Sequence, residues 1–163
     1  MTRPLVLHPD RLFPSDPSVR DIARTLYEGV RRLPIVSPHG HTDPRWFAAN
    51  EAFADPAQML IVPDHYVFRM LYSQGVALEA LGIPSVDGTP VETDPRQIWQ
   101  LFADRYHLFR GTPSRLWLDW VFVEVFGLGV RLETATAALY YDTIDAALKT
   151  DAFRPRGCIL SMP

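Results

Sequence analysis

Apolar residues recur at three- and four-residue spacing along most of this chain, a pattern typical of amphipathic helices. Three segments show it most clearly, at residues 17–32, 95–109 and 133–149. Residues 113–126 are apolar on nearly every side, so we expect that helix to lie deep in the core. In the first segment the apolar positions follow one helix face that is expected to be buried: Val19, Ile22, Ala23, Leu26, Tyr27 and Val30. The pattern predicts a mostly helical protein.

An aspartate or threonine followed by proline marks where these helices should begin. The side chain of the first residue accepts a hydrogen bond from the free amides of a first helical turn. Proline suits the next position because it has no amide hydrogen there to leave unpaired. A further helix is expected to begin after Asp64 and to end at Gly75. The pairs are Asp16-Pro17, Asp43-Pro44, Asp55-Pro56, Asp94-Pro95 and Thr112-Pro113.

One segment, near residues 35–38, predicts a strand. The apolar pair Ile35-Val36 leads into two histidines separated by one glycine. Alternate side chains of a strand point the same way, so His39 and His41 would project together toward one divalent cation. The structural alternative is that both are polar residues at a strand end and that one of them caps the next helix.

A second candidate site follows Asp64. If Asp64 caps a helix, His65 and Tyr66 occupy its first turn, beside the positive end of the helix dipole, which favours binding of a carboxylate or phosphate. His65 could act as an acid or base near neutral pH, and Tyr66 could relay a proton. Arg69, one turn further on, could pair with a substrate carboxylate. The alternative is an exposed cap, a packed aromatic residue and a surface arginine.

Composition excludes several classes of protein. Apolar residues make up 47% and charged residues 21% of the 163 positions, which suits a globular domain with a core. Sixteen basic and nineteen acidic residues give a net charge of −3 without a basic stripe, so we expect no nucleic-acid partner. No apolar stretch is long enough to span a bilayer, and we see no secretory leader. The single cysteine, Cys158, excludes an internal disulfide and fits a cytoplasmic location.

Three blocks in order resemble the uronate isomerase (glucuronate isomerase) family, which belongs to the amidohydrolase superfamily of metal-dependent barrels. They are Pro-His-Gly-His-Thr-Asp-Pro-Arg-Trp-Phe at 38–47, Asp-His-Tyr-Val-Phe-Arg-Met-Leu at 64–71 and Leu-Trp-Leu-Asp-Trp-Val-Phe at 116–122. The resemblance implies an α/β fold, the N-terminal fragment of a (β/α)8 barrel, helical over most of these residues with one strand near 35–38. It covers residues 1–156 and leaves 157–163 as a divergent tail.

The resemblance also implies a chemistry. Family members interconvert D-glucuronate with D-fructuronate and D-galacturonate with D-tagaturonate. By this likeness His39 and His41 are metal ligands from the first barrel strand, and Zn²⁺ is the expected metal. His65 and Tyr66 match the catalytic pair that contacts substrate oxygens, and Arg69 is a candidate for the substrate carboxylate. The implied partner is a small uronate, and assembly into a homo-oligomer stays open.

Length sets a limit on this interpretation. A complete barrel needs about 250 residues, and the late-strand aspartate, arginines and histidines of the family have no counterpart here. We therefore expect a truncated chain that turns over little or no uronate alone. Two alternatives stay open: another metal hydrolase of the amidohydrolase superfamily, and a helical fragment without catalytic activity.

Overall fold

The computed structural model describes residues 2–36 and 42–160, with only the backbone described at 159 and 160. Short 3₁₀ turns and one π-helical turn, Val121–Val125, join the helices of this described part. The 3₁₀ turns are Glu79–Leu81, Tyr106–Phe109, Thr134–Thr136 and Asp151–Phe153. The α-helices are α1 (Pro17–Val30), α2 (Pro44–Ala49), α3 (Pro56–Leu60), α4 (His65–Ser73), α5 (Pro95–Asp104), α6 (Pro113–Trp120), α7 (Ala137–Leu148) and α8 (Pro155–Leu160). The prediction of a mostly helical chain is confirmed for these residues.

Side-chain caps begin four of these helices at the predicted proline pairs. The Asp16 carboxylate accepts a hydrogen bond from the Val19 amide at 2.9 Å, and α1 begins at the following proline. Asp55 caps α3 and Thr112 caps α6 by accepting from the amide three residues on, and Asp94 caps α5 by accepting from the amide two residues on. Helix starts were predictable because a cap is a contact between residues two or three positions apart.

The predicted strand is wrong over the residues that can be compared. Ile35 and Val36 form no strand and are largely exposed, whereas residues 37–41 lie outside the described part of the chain. Within that part, β pairing is limited to one isolated antiparallel bridge, Pro4 with Val130. A strand is stabilised by a hydrogen-bonded neighbour, and the described residues provide none for this segment.

The chain divides into two compact units, of which the smaller is Val6–Asp43. It contains α1, and its most closely paired charges are Asp10 and Arg24, whose Nε donates to the carboxylate at 2.8 Å. This hydrogen bond from Arg24 lowers the pKa of Asp10 below its ordinary value. The ring of Phe13 meets Tyr27 edge-on, with centroids 5.8 Å apart.

The apolar face of α1 was expected to be buried, and that prediction is wrong. No residue of α1 is buried; Ile22 is 61% exposed and Leu26 69% exposed. The helix has the predicted periodicity, but the described residues do not cover its apolar face.

The larger unit, Met1–Leu5 with Pro44–Pro163, contains the core. There α5 packs against α3 and α7. The Trp99 indole donates to the Ala137 carbonyl oxygen at 3.0 Å, joining α5 to α7. The fully buried aromatic side chains at the centre are Trp99, Phe102, Tyr106, Phe109, Phe122 and Tyr140.

Helix α6 is less buried than its sequence predicts. Leu118 is its buried residue, while Trp117 is 51% exposed and Leu116 and Trp120 are also exposed. Arg115 and Asp119, on the side of α6 that faces the 3₁₀ turn Tyr106–Phe109, form a hydrogen-bonded ion pair at 2.8 Å. The prediction of deep burial for residues 113–126 is therefore wrong for much of α6.

Residues 157–160, assigned from sequence to a divergent tail, form the last four residues of the six-residue helix α8. Gly157 lies so close to the preceding 3₁₀ turn that a Cβ atom there would be 2.4 Å from the Asp151 carbonyl oxygen. Whether residues 157–163 diverge from the family stays a prediction.

Among the described residues, no helix is long and apolar enough to cross a membrane.

Helix α7 offers a matched test of this core. Ile144 is fully buried and Leu139 is about half exposed. Replacing Ile144 with alanine should lower the free energy of unfolding by about 2–5 kcal/mol, whereas Leu139→Ala should change it by about 0.5 kcal/mol or less. Urea unfolding followed by circular dichroism measures both. Equal losses in the two variants would contradict the placement of α7.

Candidate functional site

His65 and Tyr66 form the first turn of α4, as the sequence predicts. The Asp64 carboxylate caps the helix by accepting from the Tyr66 amide at 2.8 Å and from the Val67 amide at 3.3 Å. The rings of His65 and Tyr66 lie against each other, with centroids 4.2 Å apart and planes inclined by 34°. The capping prediction for Asp64 is confirmed.

Packing on the other side of α4 determines which residues face solvent. Val67 and Leu71 are completely buried, and α4 packs against the 3₁₀ turn Tyr106–Phe109. His65, Tyr66 and Arg69 are all exposed. Residues three and four apart share a helix face, so the structure brings these three candidates together on one accessible surface.

Arg69 is available to a ligand on this surface. Its guanidinium forms no ion pair or hydrogen bond with the residues that the structure describes. A guanidinium one turn from the positive end of a nine-residue helix favours a carboxylate. The surface therefore combines an anion-binding group with an imidazole and a phenol.

The predicted metal ligands His39 and His41 lie outside the described residues, so their placement stays a prediction. Two imidazole nitrogens suit zinc in kind, but a catalytic zinc site takes three protein ligands. Within residues 2–36 and 42–160, no group of three or more histidine, cysteine, aspartate or glutamate side chains could hold a metal. The residues present therefore fit zinc only as part of a ligand set.

The structure has a cleft that was not predicted from the sequence, and its lining residues begin shortly after the histidine motif in the chain. It has a volume of about 320 Å³ and is lined by residues of α2 and its following loop, including Arg45, Trp46, Glu51 and Phe53. Trp46 and Phe53 meet edge to face at 5.5 Å. This volume is within the range of small-molecule pockets, which starts at about 300 Å³. No sequence pattern marks the cleft, because its walls come from packing.

Helix α8 fixes the position of α2 beside this cleft. Arg156 donates from Nε to the Phe47 carbonyl oxygen at 2.7 Å and from Nη2 to the Ala48 carbonyl oxygen at 2.9 Å. The Arg156 amide also donates to the Asn50 side chain at 3.0 Å. The end of α2 is thus held by residues more than a hundred positions away, which sequence patterns do not reveal.

Comparison with known proteins gives the family. The sequence model of glucuronate isomerase matches residues 18–163. The uronate isomerase of Sphingopyxis alaskensis is 65% identical over 156 residues, which are 96% of this chain and 32% of that protein. The uronate isomerase of Xanthomonas euvesicatoria pv. vesicatoria is 62% identical over 152 residues, 93% of this chain and 32% of that protein.

Solved structures that resemble this chain include members of the same family. The crystal structure of glucuronate isomerase from Caulobacter crescentus superimposes with a TM-score of 0.90 at 58% identity, over 96% of this chain and 33% of that one. Uronate isomerase from Thermotoga maritima shares the fold at 24% identity, with a TM-score of 0.72 over 88% of this chain and 29% of that one. This chain spans about a third of the length of the curated relatives it matches. The resemblance seen in the sequence is confirmed, and the chain belongs to the uronate isomerase (glucuronate isomerase) family.

Proposed function

We propose that this chain supplies the first part of a (β/α)8-barrel enzyme that isomerises hexuronates, D-glucuronate to D-fructuronate and D-galacturonate to D-tagaturonate. The observation that carries the proposal is the exposed face of α4. It holds His65, Tyr66 and Arg69, which has no side-chain partner among the described residues, in a chain 65% identical to a uronate isomerase. The substrate class is a small sugar acid, and the expected location is the cytoplasm.

The reaction explains these residue types. Moving a carbonyl from C1 to C2 removes a proton from C2 and returns one to C1, while a hydroxyl proton moves between the two oxygens, so no outside oxidant or reductant is needed. An imidazole such as that of His65 can carry a proton near neutral pH. The Tyr66 hydroxyl can donate a hydrogen bond to a substrate oxygen as negative charge develops there.

Arg69 and the α4 N-terminus would hold the substrate carboxylate. A guanidinium binds a carboxylate with two parallel hydrogen bonds, and the positive end of the helix dipole favours the same charge. A divalent cation, Zn²⁺ by donor type, held in part by His39 and His41, would supply Lewis-acid stabilisation of a substrate oxygen. In this proposal Arg69 and the α4 N-terminus orient the sugar acid, whereas His65 and Tyr66 take part in moving its protons.

The uncovered apolar face of α1 supports a longer enzyme. Ile22, Leu26 and Val30 are exposed although they follow one helix face. Burying such side chains contributes about 1.5–3 kcal/mol each. We infer that the rest of the barrel covers them.

An extended protein tests the proposal directly. It joins this chain to the remaining two thirds of the Sphingopyxis alaskensis relative. With Zn²⁺ we expect the extended protein to convert D-glucuronate and the 163-residue chain to show negligible turnover, measured by ketose formation. Comparable turnover by the short chain would refute its incompleteness, and an inactive but folded extended protein would count against the isomerase assignment.

Two tyrosines of α4 provide a matched pair for the catalytic role. In the extended protein, Tyr66→Phe should lower kcat by about 100-fold or more, because it removes the hydroxyl proposed to donate to the substrate. Tyr72→Phe removes the same group from an exposed residue of the same helix and should leave kcat within about twofold. If both variants have the same kcat, Tyr66 has no catalytic role.

The metal ligands are tested by metal content. In the extended protein, His39→Ala and His41→Ala should each reduce zinc retained after dialysis at least tenfold, because each removes one ligand of the set. His8→Ala removes an exposed histidine and should leave zinc content unchanged. Elemental analysis by mass spectrometry measures all three, and undiminished zinc in the first two would place the metal elsewhere.

A further inference from the structure

A second cleft in the larger unit has an excess of positive charge. It lies beside the end of α5 and has a volume of about 100 Å³. Its lining includes two carboxylates, of Asp104 and Glu133, and the exposed imidazole of His107. Four arginines also line it: Arg3, Arg110, Arg115 and Arg131.

Two of these arginines are already paired with carboxylates. Arg115 donates to Asp119 at 2.8 Å, and Arg3 donates to Glu133 at 3.3 Å. These contacts neutralise two of the positive charges. The net charge of the cleft is therefore set by the remaining charged groups, Arg110, Arg131 and Asp104.

Arg110 and Arg131 have no carboxylate partner in the described part of the chain. The Arg110 guanidinium makes no ion pair or hydrogen bond there. Arg131 donates from Nε to the neutral Pro4 carbonyl oxygen at 3.2 Å. Asp104 opposes them with one negative charge, and its carboxylate accepts from the neutral amide of Gln100 at 2.8 Å. Among the described residues, two guanidinium groups without a carboxylate partner therefore face one carboxylate without a cationic partner.

A backbone hydrogen bond on one side and a side-chain contact on the other hold the two sides of the cleft in place. The Arg131 amide donates to the Arg3 carbonyl oxygen at 2.8 Å, next to the bridge between Pro4 and Val130. On the other side, Arg115 lies 3.9 Å above the ring centroid of the buried Tyr106. A site whose walls are already ordered costs less conformational entropy when a ligand binds.

We propose that this cleft binds a tetrahedral oxyanion of the phosphate class. Its volume is several times the roughly 10–15 Å³ that one water needs but below the range, from about 300 Å³, of pockets for whole small molecules. Guanidinium groups recognise phosphate through charge-assisted hydrogen bonds. Arg110 and Arg131 have no carboxylate partner among the described residues, and a tetrahedral oxyanion has enough oxygens to accept hydrogen bonds from both guanidinium groups. The occupant is inorganic phosphate or the phosphate group of a monoester.

Titration calorimetry on the 163-residue chain at low ionic strength tests the proposal. Inorganic phosphate should bind, and acetate should bind at least tenfold more weakly. Glucose 6-phosphate separates the two sources, because tighter binding than that of inorganic phosphate identifies a monoester and equal or weaker binding identifies the free ion. Absence of phosphate binding, or equal binding of acetate, would overturn the proposal.

Variants connect the binding to this cleft. Arg110→Gln and Arg131→Gln should each weaken phosphate binding about tenfold, the effect of one charge-assisted hydrogen bond. Arg96→Gln makes the same change in charge at the other end of α5, where Arg96 pairs with Asp142, and should leave the affinity unchanged. Unaltered affinity in both cleft variants would place the phosphate elsewhere and overturn the proposal.

A variant that binds phosphate more tightly would show that the losses in the arginine variants do not come from misfolding. Asp104→Asn removes the opposing charge but keeps the oxygen that accepts from Gln100, so phosphate should bind roughly fivefold more tightly. Weaker or unchanged binding in Asp104→Asn contradicts the proposed charge balance. The test does not depend on isomerase activity, so its outcome is separable from that of the proposed function.

Discussion

The Asp119 carboxylate links three parts of the larger unit. It accepts from the Tyr106 hydroxyl and from Arg115, both at 2.8 Å. Tyr106 belongs to the buried aromatic cluster, and its 3₁₀ turn is the surface on which α4 packs. Arg115 forms one wall of the basic cleft. A mostly buried carboxylate needs such donors, since removing one partner of a buried pair costs about 3–5 kcal/mol. Burial, followed by the charge of Asp119, raises the pKa of Tyr106, so the phenol keeps its proton and stays a donor.

Helix starts could be predicted from the sequence because they depend on neighbours. Asp16, Asp64 and Asp94 cap helices within three residues of themselves. Likewise, His65, Tyr66 and Arg69 could be placed on one helix face from their spacing alone. Two features of the candidate site were not predictable. The cleft beside Trp46 depends on α8 contacts made across the chain. The cleft beside the end of α5 brings Arg3, near the N-terminus, together with Arg131, which lies between α6 and α7.

Burial was predicted incorrectly where the described residues provide no partner for an apolar face. The periodicity of α1 indicates a buried face, yet Leu26 is exposed. The apolar positions of α6 predict deep burial, yet Trp117 and Trp120 are exposed. The predicted strand at Ile35-Val36 fails for the same reason, since a strand needs a neighbour. This chain spans about a third of the length of the relatives it matches. The pattern therefore reports contacts that these residues alone do not provide.

The exposure of α4 explains why its candidate residues would be poor catalysts alone. Tyr66 is 69% exposed, so its hydroxyl competes with water for a substrate oxygen. Hydrogen bonds stabilise a developing charge most strongly in a site that excludes water. The proposed ligands His39 and His41 would be fewer than a catalytic zinc needs. Both deficits have one remedy, a wall over α4 that also brings a further metal ligand. In a barrel enzyme the later strands and their loops provide such groups at the same face, so in the proposed enzyme one part of the barrel would supply both the wall and the further ligand.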